Sequence, residues 1–284
     1  MSIVQPGILY IVATPIGNLD DITLRAKAIL SEVDAIAAED TRHSRPLLNH
    51  LGINTPLFAL HEHNEEQKSA QVIERLQRGE SIALISDAGT PLISDPGYHL
   101  VKVAHQAGIV VTPIPGDSAM VTARSVGGLA TDRFCFEGFL SAKSGARRDR
   151  LNNLVDEPRT LIFYESSHRV VATLTDMVEI FGGERESTLA RELTKKFETV
   201  RQAPLAELKA FVSEDTNQQK GEFVILIAGK KRNQSDTIDG ESRRIIDLLG
   251  DELPVKQASK LAAEITGIKK RLFYQYLIDK DDSN

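Results

Sequence analysis

Short apolar runs alternate with longer amphipathic stretches along most of the chain. The runs ILYIVA (8–13), AIAA (35–38), IALI (82–85), IVVTPI (109–114), FCFEGF (134–139), TLIFY (160–164) and FVILIA (223–228) have the length and composition of buried strands. Between them, Leu24 to Leu30, Glu65 to Arg78 and Asp95 to Gln106 read as helices. Strand alternating with helix predicts an α/β fold. Asp95 reads as the N-cap of the third helix, with Pro96 at the first helical position, where its missing N–H costs nothing.

The pattern breaks at IPGDSAM (114–120), and strands resume beyond it. Two α/β lobes are therefore expected, over 1–116 and 117–230. The polar stretch GKKRNQSDTIDGES (229–242) has no apolar period to bury and reads as a linker, set at 231–241. Past it the pattern is helical throughout: ESRRIIDLLG closes on a glycine cap, PVKQASKLAAEITG runs from proline to glycine, and IKKRLFYQYLIDK follows. Two short helices joined by a glycine turn, the second opening with Lys269, Lys270 and Arg271, look like a helix-turn-helix module over 242–284. Such a module either grips nucleic acid or caps the core.

Composition narrows the classes. With 41% apolar residues in 284, the chain can bury a sizeable core. No run approaches the roughly 18 apolar residues of a membrane span, and MSIVQPGILY lacks the basic start and apolar core of a signal peptide, so the expected compartment is the cytoplasm. The single Cys135 excludes an intrachain disulfide framework. A net charge of −6 argues against a protein that coats nucleic acid non-specifically. Two local basic patches stand out against it: KSGARRDR (143–150), with Arg147 and Arg148, and residues 256–271.

Several loops directly follow predicted strands: TPIGNLDD (14–21), EDTRHS (39–44), SDAGTP (86–91), PGDSA (115–119) and ARELTKK (190–196). The carboxyl ends of strands line the ligand crevice of an open α/β sheet, so these loops are expected to converge there. Neither the P-loop pattern nor the dinucleotide fingerprint occurs, which disfavours nucleotide hydrolysis and NAD binding. His61 and His63 lack zincin spacing and a third ligand, and no metal is expected. In YESSHR (164–169), Ser166 and Ser167 read as helix caps, since no nucleophile elbow is present.

Taken together, YIVATPIGNLDDITLRA (10–26), AAEDTRHS (37–44), SDAGTPLISDPG (86–97), PIPGDSA (113–119), FEGFL (136–140), FYESSHR (163–169) and ARELTK (190–195) resemble the tetrapyrrole methylase-like superfamily. Within it they look like the ribosomal RNA branch, the small-subunit ribosomal RNA methyltransferase I proteins. The similarity runs in order over about residues 7–230, and the helical tail fits the same branch. The resemblance implies two α/β lobes with an S-adenosylmethionine cleft between them, a homodimer, and 2′-O-methylation of a cytidine in the decoding region of 16S ribosomal RNA. The implied partner is the small ribosomal subunit, with no membrane and no DNA. The absence of phosphate fingerprints agrees with a cofactor that has no phosphate.

Carried over by position, the family pattern places Pro15, Ala88, Gly89, Thr90, Ile93, Ser118, Ala119, Glu165 and Leu193 at the cofactor. Thr90 stands where the tetrapyrrole enzymes usually have Asp. A ribose hydroxyl is a weak nucleophile, so a general base within hydrogen-bond reach would help. Candidates are Asp40, Glu39, Glu62, His63 and Lys195, with Asp40 beside Arg42 placed first. Arg147, Arg148, Arg191, Lys269, Lys270 and Arg271 are candidate RNA contacts. The rivals are methylation of a tetrapyrrole carbon and a non-catalytic RNA-binding assembly factor. The EDTR and RELTK blocks and the basic tail argue against the first.

Overall fold

The computed structural model describes residues 3–230 and 237–281. They form two compact units, one ending at Gly229 and one beginning at Lys230. In the first unit the chain opens with strand β1 (Ile8–Val12), helix α1 (Leu24–Glu32), β2 (Ala35–Ala38), α2 (Thr41–His50), β3 (Leu57–Ala59), α3 (Glu65–Gln77), β4 (Ile82–Ile85), α4 (Tyr98–Gln106) and β5 (Val110–Ile114). These strands pair in parallel in the order β3-β2-β4-β1-β5. Successive side chains point to opposite faces. Tyr10, Val12, Ile36 and Ile85 pack on α1 and α2, whereas Leu9, Ala37, Ile82 and Leu84 pack on α3 and α4.

The strand order reverses between β1 and β4. The chain leaves β1 towards β2 and leaves β4 towards β5, so the loops after β1 and β4 diverge and leave a crevice at their carboxyl ends. Thr14 and Gly89 bridge that crevice through paired backbone hydrogen bonds of 2.9 and 3.0 Å.

Helix α5 (Ala119–Val126) leads to a second sheet built from β6 (Phe134–Phe139), β7 (Thr160–Ser166), β8 (Glu186–Arg191), β9 (Thr199–Pro204) and β10 (Glu222–Ile227). Its order is β6-β7-β10-β8-β9, parallel between β6 and β7 and antiparallel elsewhere. Helices α6 (Ser144–Asn153), α7 (Val170–Phe181) and α8 (Leu205–Glu214) cover one face through Leu161, Phe163, Leu189 and Ile225. The other face presents Ile162, Ala190, Val224 and Leu226 to Ile16 of the first sheet's leading loop and to Ala123 of α5.

The second unit contains α9 (Gly240–Glu252), α10 (Val255–Thr266) and α11 (Lys270–Asp281), packed around Ile246, Ala258, Ala262, Phe273 and Leu277. Gly267 ends α10 with φ of 77°, the left-handed cap that turns the chain into α11. Of the expected linker, 231–236 lies outside the described residues, and 240–241 already belong to α9. Among the described residues no helix is long and apolar enough to cross a membrane.

Four local expectations change. Strands β3, β8 and β9 did not stand out in the sequence, because β3 is three residues long and β9 is an exposed edge. Gly250 does not end α9; a Cβ there would lie 2.8 Å from Leu277 Cδ2, so its glycine serves helix packing. Ser166 closes β7 and α7 begins only at Val170, so neither Ser166 nor Ser167 caps it. Asp95 is not the cap of α4: Gly97 is, with φ of 123°, and the helix starts at Tyr98.

Candidate active site

A cavity of about 490 Å³ lies where the carboxyl ends of the first sheet meet the open face of the second. Its volume is within the range of small-molecule sites. From the first sheet it receives Ala88, Gly89, Thr90 and Ile93 of the loop after β4, and Ser118 with Ala119 at the start of α5. From the second it receives Tyr164, Glu165 and Leu193. Pro15 is buried but does not line the cavity; its neighbour Ile16 does.

The loops are locked to each other. Gly89 has φ of 82°, and a Cβ there would meet Ile16 Cγ2 at 3.2 Å, so glycine is what lets the two loops approach. Thr90 Oγ1 donates to the Asp117 carbonyl at 2.7 Å, tying the β4 loop to the β5 loop. The Asn18 N–H donates to Thr194 Oγ1 at 3.1 Å, tying the β1 loop to the loop after β8. Ile93 and Leu193 are each flanked by two left-handed non-glycine residues, Leu92 and Ser94 on one side, Glu192 and Thr194 on the other. Such conformations cost about 1–3 kcal/mol each and persist where surrounding contacts over-determine them. Here they turn two apolar side chains into one cavity.

Glu165 is 2% exposed and saturated: its carboxylate accepts from Thr173 Oγ1 at 2.6 Å and from the Ser166 N–H at 2.7 Å, and pairs with Arg169 at 2.9 Å. The phenol of Tyr164 accepts the Met120 N–H at 3.0 Å, and burial pushes its pKa up.

Four further carboxylates line the cavity: Glu39, Asp87, Asp95 and Glu222. Asp87 Oδ1 accepts the Asp40 N–H and Oδ2 meets His43 Nδ1, both at 3.0 Å; the bond to Asp87 raises the pKa of His43. Burial, reinforced by the charge of Asp87, raises Glu39. Burial first, then the charges of Glu39 and Asp87, push Asp95 up to about 7, against the lowering effect of a bond from Ser86.

The predicted catalytic group looks different in place. Asp40 is the N-cap of α2 and accepts the Arg42 N–H at 2.8 Å and its guanidinium at 2.6–3.2 Å. Those bonds hold its carboxyl well below the usual range, which makes it a poor base; Arg42 is occupied by the same contact. Burial alone would lower Lys195, but its bonds to Glu222 and Glu192, at 2.8 and 2.9 Å, outweigh burial and hold the ammonium above the ordinary lysine value. It stays charged and cannot accept a proton. Asp40, Arg42, Lys195, Glu62 and His63 do not line the cavity. Of the five base candidates, only Glu39 does.

The predicted RNA contacts also divide. Arg147 is 5% exposed, with Nε 2.6 Å from Asp176, and Arg148 joins the same carboxylate at 2.9 Å and also pairs with Glu179. Arg191 is 6% exposed and donates to the carbonyls of Lys220 and Phe197. Arg147 and Arg191 are structural braces rather than surface cations. In the second unit Lys270 and Arg271 are exposed at the start of α11, and Lys269 is half-buried in the turn before it. Among the described residues no group of three His, Cys, Asp or Glu side chains could hold a metal ion.

Sequence reasoning missed Asp95 as a cavity residue because DP before an apolar period imitates a helix start. The usable signal was Pro96 followed by Gly97, a turn dipeptide that delays the helix.

Residues 8–209 match the family model described as tetrapyrrole (corrin/porphyrin) methylases, and residues 236–280 match the one described as the RsmI C-terminal HTH domain. A curated relative from Pseudomonas aeruginosa, named ribosomal RNA small subunit methyltransferase I, is 57% identical over 96% of this chain and 98% of its own. A relative of that name from Escherichia coli O157:H7 is 56% identical, covering 96% of each chain. Among solved structures, uroporphyrin-III-C-methyltransferase from Thermus thermophilus superposes with a TM-score of 0.56 at 18% identity, over 78% of this chain and 94% of that one. Diphthine synthase does so with a TM-score of 0.59 at 15% identity, over 79% and 90%. At that identity the solved structures speak for the fold alone. The chain belongs to the tetrapyrrole methylase family and, within it, to the ribosomal RNA small subunit methyltransferase I proteins.

Proposed function

We propose that the chain transfers a methyl group from S-adenosylmethionine to the 2′-oxygen of a cytidine ribose in the decoding region of 16S ribosomal RNA, acting on the small ribosomal subunit as a cytoplasmic homodimer. The observation that carries the cofactor is the charge of the cavity. Among the described residues its lining holds Glu39, Asp87, Asp95, Glu165 and Glu222 and no Lys, Arg or His. Such a wall repels a phosphate and suits a cationic ligand.

The other lining groups fit the rest of that molecule. Ile16, Ile93, Ala119 and Leu193 offer apolar surface for a purine, and the glycine-turned backbone at Gly89 offers polar groups at close range. When bound, S-adenosylmethionine supplies a methyl group already activated by its sulfonium. The chain's own task is then positioning, which can provide much of the acceleration when the reacting atoms are held in line. The Thr14–Gly89 bridge, the Asn18–Thr194 bond and the strained residues around Ile93 and Leu193 all serve rigidity.

The identity of the relatives and the match of residues 236–280 to a helix-turn-helix family support ribosomal RNA as the substrate. In this reading 1–116 and 117–230 are the two lobes, and 242–284 is the RNA-gripping module, with Lys270 and Arg271 at the start of α11 and Lys269 in the turn before it. The test is transfer of labelled methyl to small subunits that lack this modification, followed by mapping of the labelled nucleotide. Label on a cytidine 2′-oxygen is expected. Label accepted only by a tetrapyrrole would overturn the RNA substrate, and no label at all would leave an assembly factor.

A further inference from the structure

The segment between β8 and β9, residues 192–198, is tied down along its whole length. Glu192 and Thr194 are left-handed, Glu198 accepts the Thr194 N–H at 2.6 Å, and Lys195 bonds both Glu192 and Glu222. Beneath it the buried Arg191 donates from Nη1 to the Lys220 carbonyl at 3.0 Å and from Nη2 to the Phe197 carbonyl at 3.2 Å. One guanidinium thus sets two stretches of chain side by side.

What those stretches carry outward is an aromatic ring and two cations. Phe197 is 64% exposed, although a phenylalanine gains stability by leaving water. The Lys196 ammonium lies 5.6 Å from the centre of its ring, and the exposed Lys220 reaches only the neutral Asn217 Oδ1, at 3.0 Å. The acids nearby are engaged: Glu192 and Glu222 by Lys195, Glu198 by the Thr194 N–H, and Asp215 by the Asn217 N–H. In a chain of net charge −6, two lysines are left beside an open ring.

We propose that Phe197 is a stacking platform for an unpaired nucleobase of the RNA substrate, with Lys196 and Lys220 on the phosphates beside it; this rests on the ribosomal RNA function proposed above. Single-stranded RNA is held by aromatic faces for its bases and by cations for its backbone. A protein partner fits less well, because interface cores are depleted in lysine and glutamate and Phe197 stands among Lys196, Glu198 and Lys220. Leu193 of the same loop lines the cavity, whereas Phe197 and the two lysines do not. The platform therefore lies next to the reaction site and outside it, where it holds a nucleotide other than the target. Arg191 acts through these residues, orienting the platform from below.

The test measures binding of the full chain to small subunits that lack the methyl group, with no methyl transfer involved. Phe197→Ala and Phe197→Leu should each bind about 10–100-fold more weakly than wild type, since stacking needs the ring and not only apolar bulk. Both should melt as wild type does, because the side chain is exposed. Lys196→Ala with Lys220→Ala should lower the slope of log affinity against log salt by about 1–2. The chain has no tryptophan, so Phe197→Trp places a single fluorescent reporter on the platform. Short single-stranded RNA of mixed sequence should quench it, and S-adenosylmethionine alone should not. Wild-type affinity in Phe197→Leu overturns the proposal, as does a Phe197→Trp protein that RNA leaves unquenched. A Phe197→Ala chain that sediments as a smaller species than wild type also overturns it, and gives the ring to a second copy. Label on RNA without quenching removes the platform and keeps the function; quenching without label keeps the platform and removes the function.

Discussion

Glu65 caps a helix that begins some thirty residues later in the chain, accepting the Gly97 N–H at 3.1 Å, and so leaves Asp95 to face the cavity. A side-chain cap is worth about 1 kcal/mol, so Glu65→Ala should destabilise the protein by about that amount. Its signature is local: amide exchange at Gly97 and Leu100 should speed up. Unchanged exchange there would mean that the cap is supplied from elsewhere.

Asp95 also sets a pH dependence of stability. Its folded pKa, about 7, is above that of the unfolded chain, so its contribution is fully present below the unfolded value of about 3.8 and is lost as pH rises through 7. Asp95→Asn removes that loss. The variant should melt close to wild type at pH 4 and several degrees higher at pH 8, as read by calorimetry at the two pH values. A variant less stable than wild type at pH 8 would contradict this sign.

Cofactor affinity should depend on the same ionisation. The cavity gains negative charge as Asp95 deprotonates, so a cationic ligand should bind more tightly as pH rises through 7. Isothermal titration with S-adenosylmethionine should show the rise, and its thioether product, which lacks the sulfonium, should show a shallower one. Glu39→Gln removes one neighbouring charge and should move the midpoint to lower pH.

The basic residues of the two units should respond differently to substitution. Arg147 and Asp176 form a pair with both partners nearly inaccessible, and Asp176→Ala should cost about 3–5 kcal/mol by leaving a buried cation without its partner. Lys270→Ala with Arg271→Ala should leave the melting temperature unchanged, because both side chains are exposed. The double variant should instead weaken subunit binding and flatten its salt dependence. Equal salt slopes for it and wild type would remove α11 from the RNA surface.

Gly89→Ala places a methyl group 3.2 Å from Ile16 Cγ2 on a backbone with φ of 82°. The left-handed conformation alone should cost about 1–2 kcal/mol, and the Thr14–Gly89 bridge should loosen with it. The expected outcome is a lower melting temperature together with weaker cofactor binding. A fall in stability with unchanged affinity would separate the bridge from the site.

Much of this protein was legible from local pattern. Apolar runs located the central parallel strands, because a parallel strand covered on both faces reads as a near-continuous apolar run, as IALI and AIAA do. The glycine and small-residue loops marked the cavity because close backbone approach needs those residue types. The cap Gly267 and the helices around it were likewise visible in spacing and termini. Strands β8 and β9 were not: β8 buries the polar Ser187, Thr188 and Arg191 among its residues, and β9 is a largely exposed edge that gains its pairing only from the neighbouring strand.

Sequence by itself determined the fold class, the family and the loops that meet at the cavity, all properties carried by segments a few residues long. Tertiary structure alone decided the state of the charged groups, because a carboxylate's pKa depends on which neighbours the folded geometry sets against it and on how deeply it is buried. Asp40 and Arg42 are neighbours in sequence that neutralise each other, and Arg147 is a basic-patch residue that folds into a buried pair. The SDPG that imitates a helix cap is released from that task by Glu65. Its Asp95 is brought by folding against Glu39 and Asp87, and burial in that company makes it a group that titrates near neutrality.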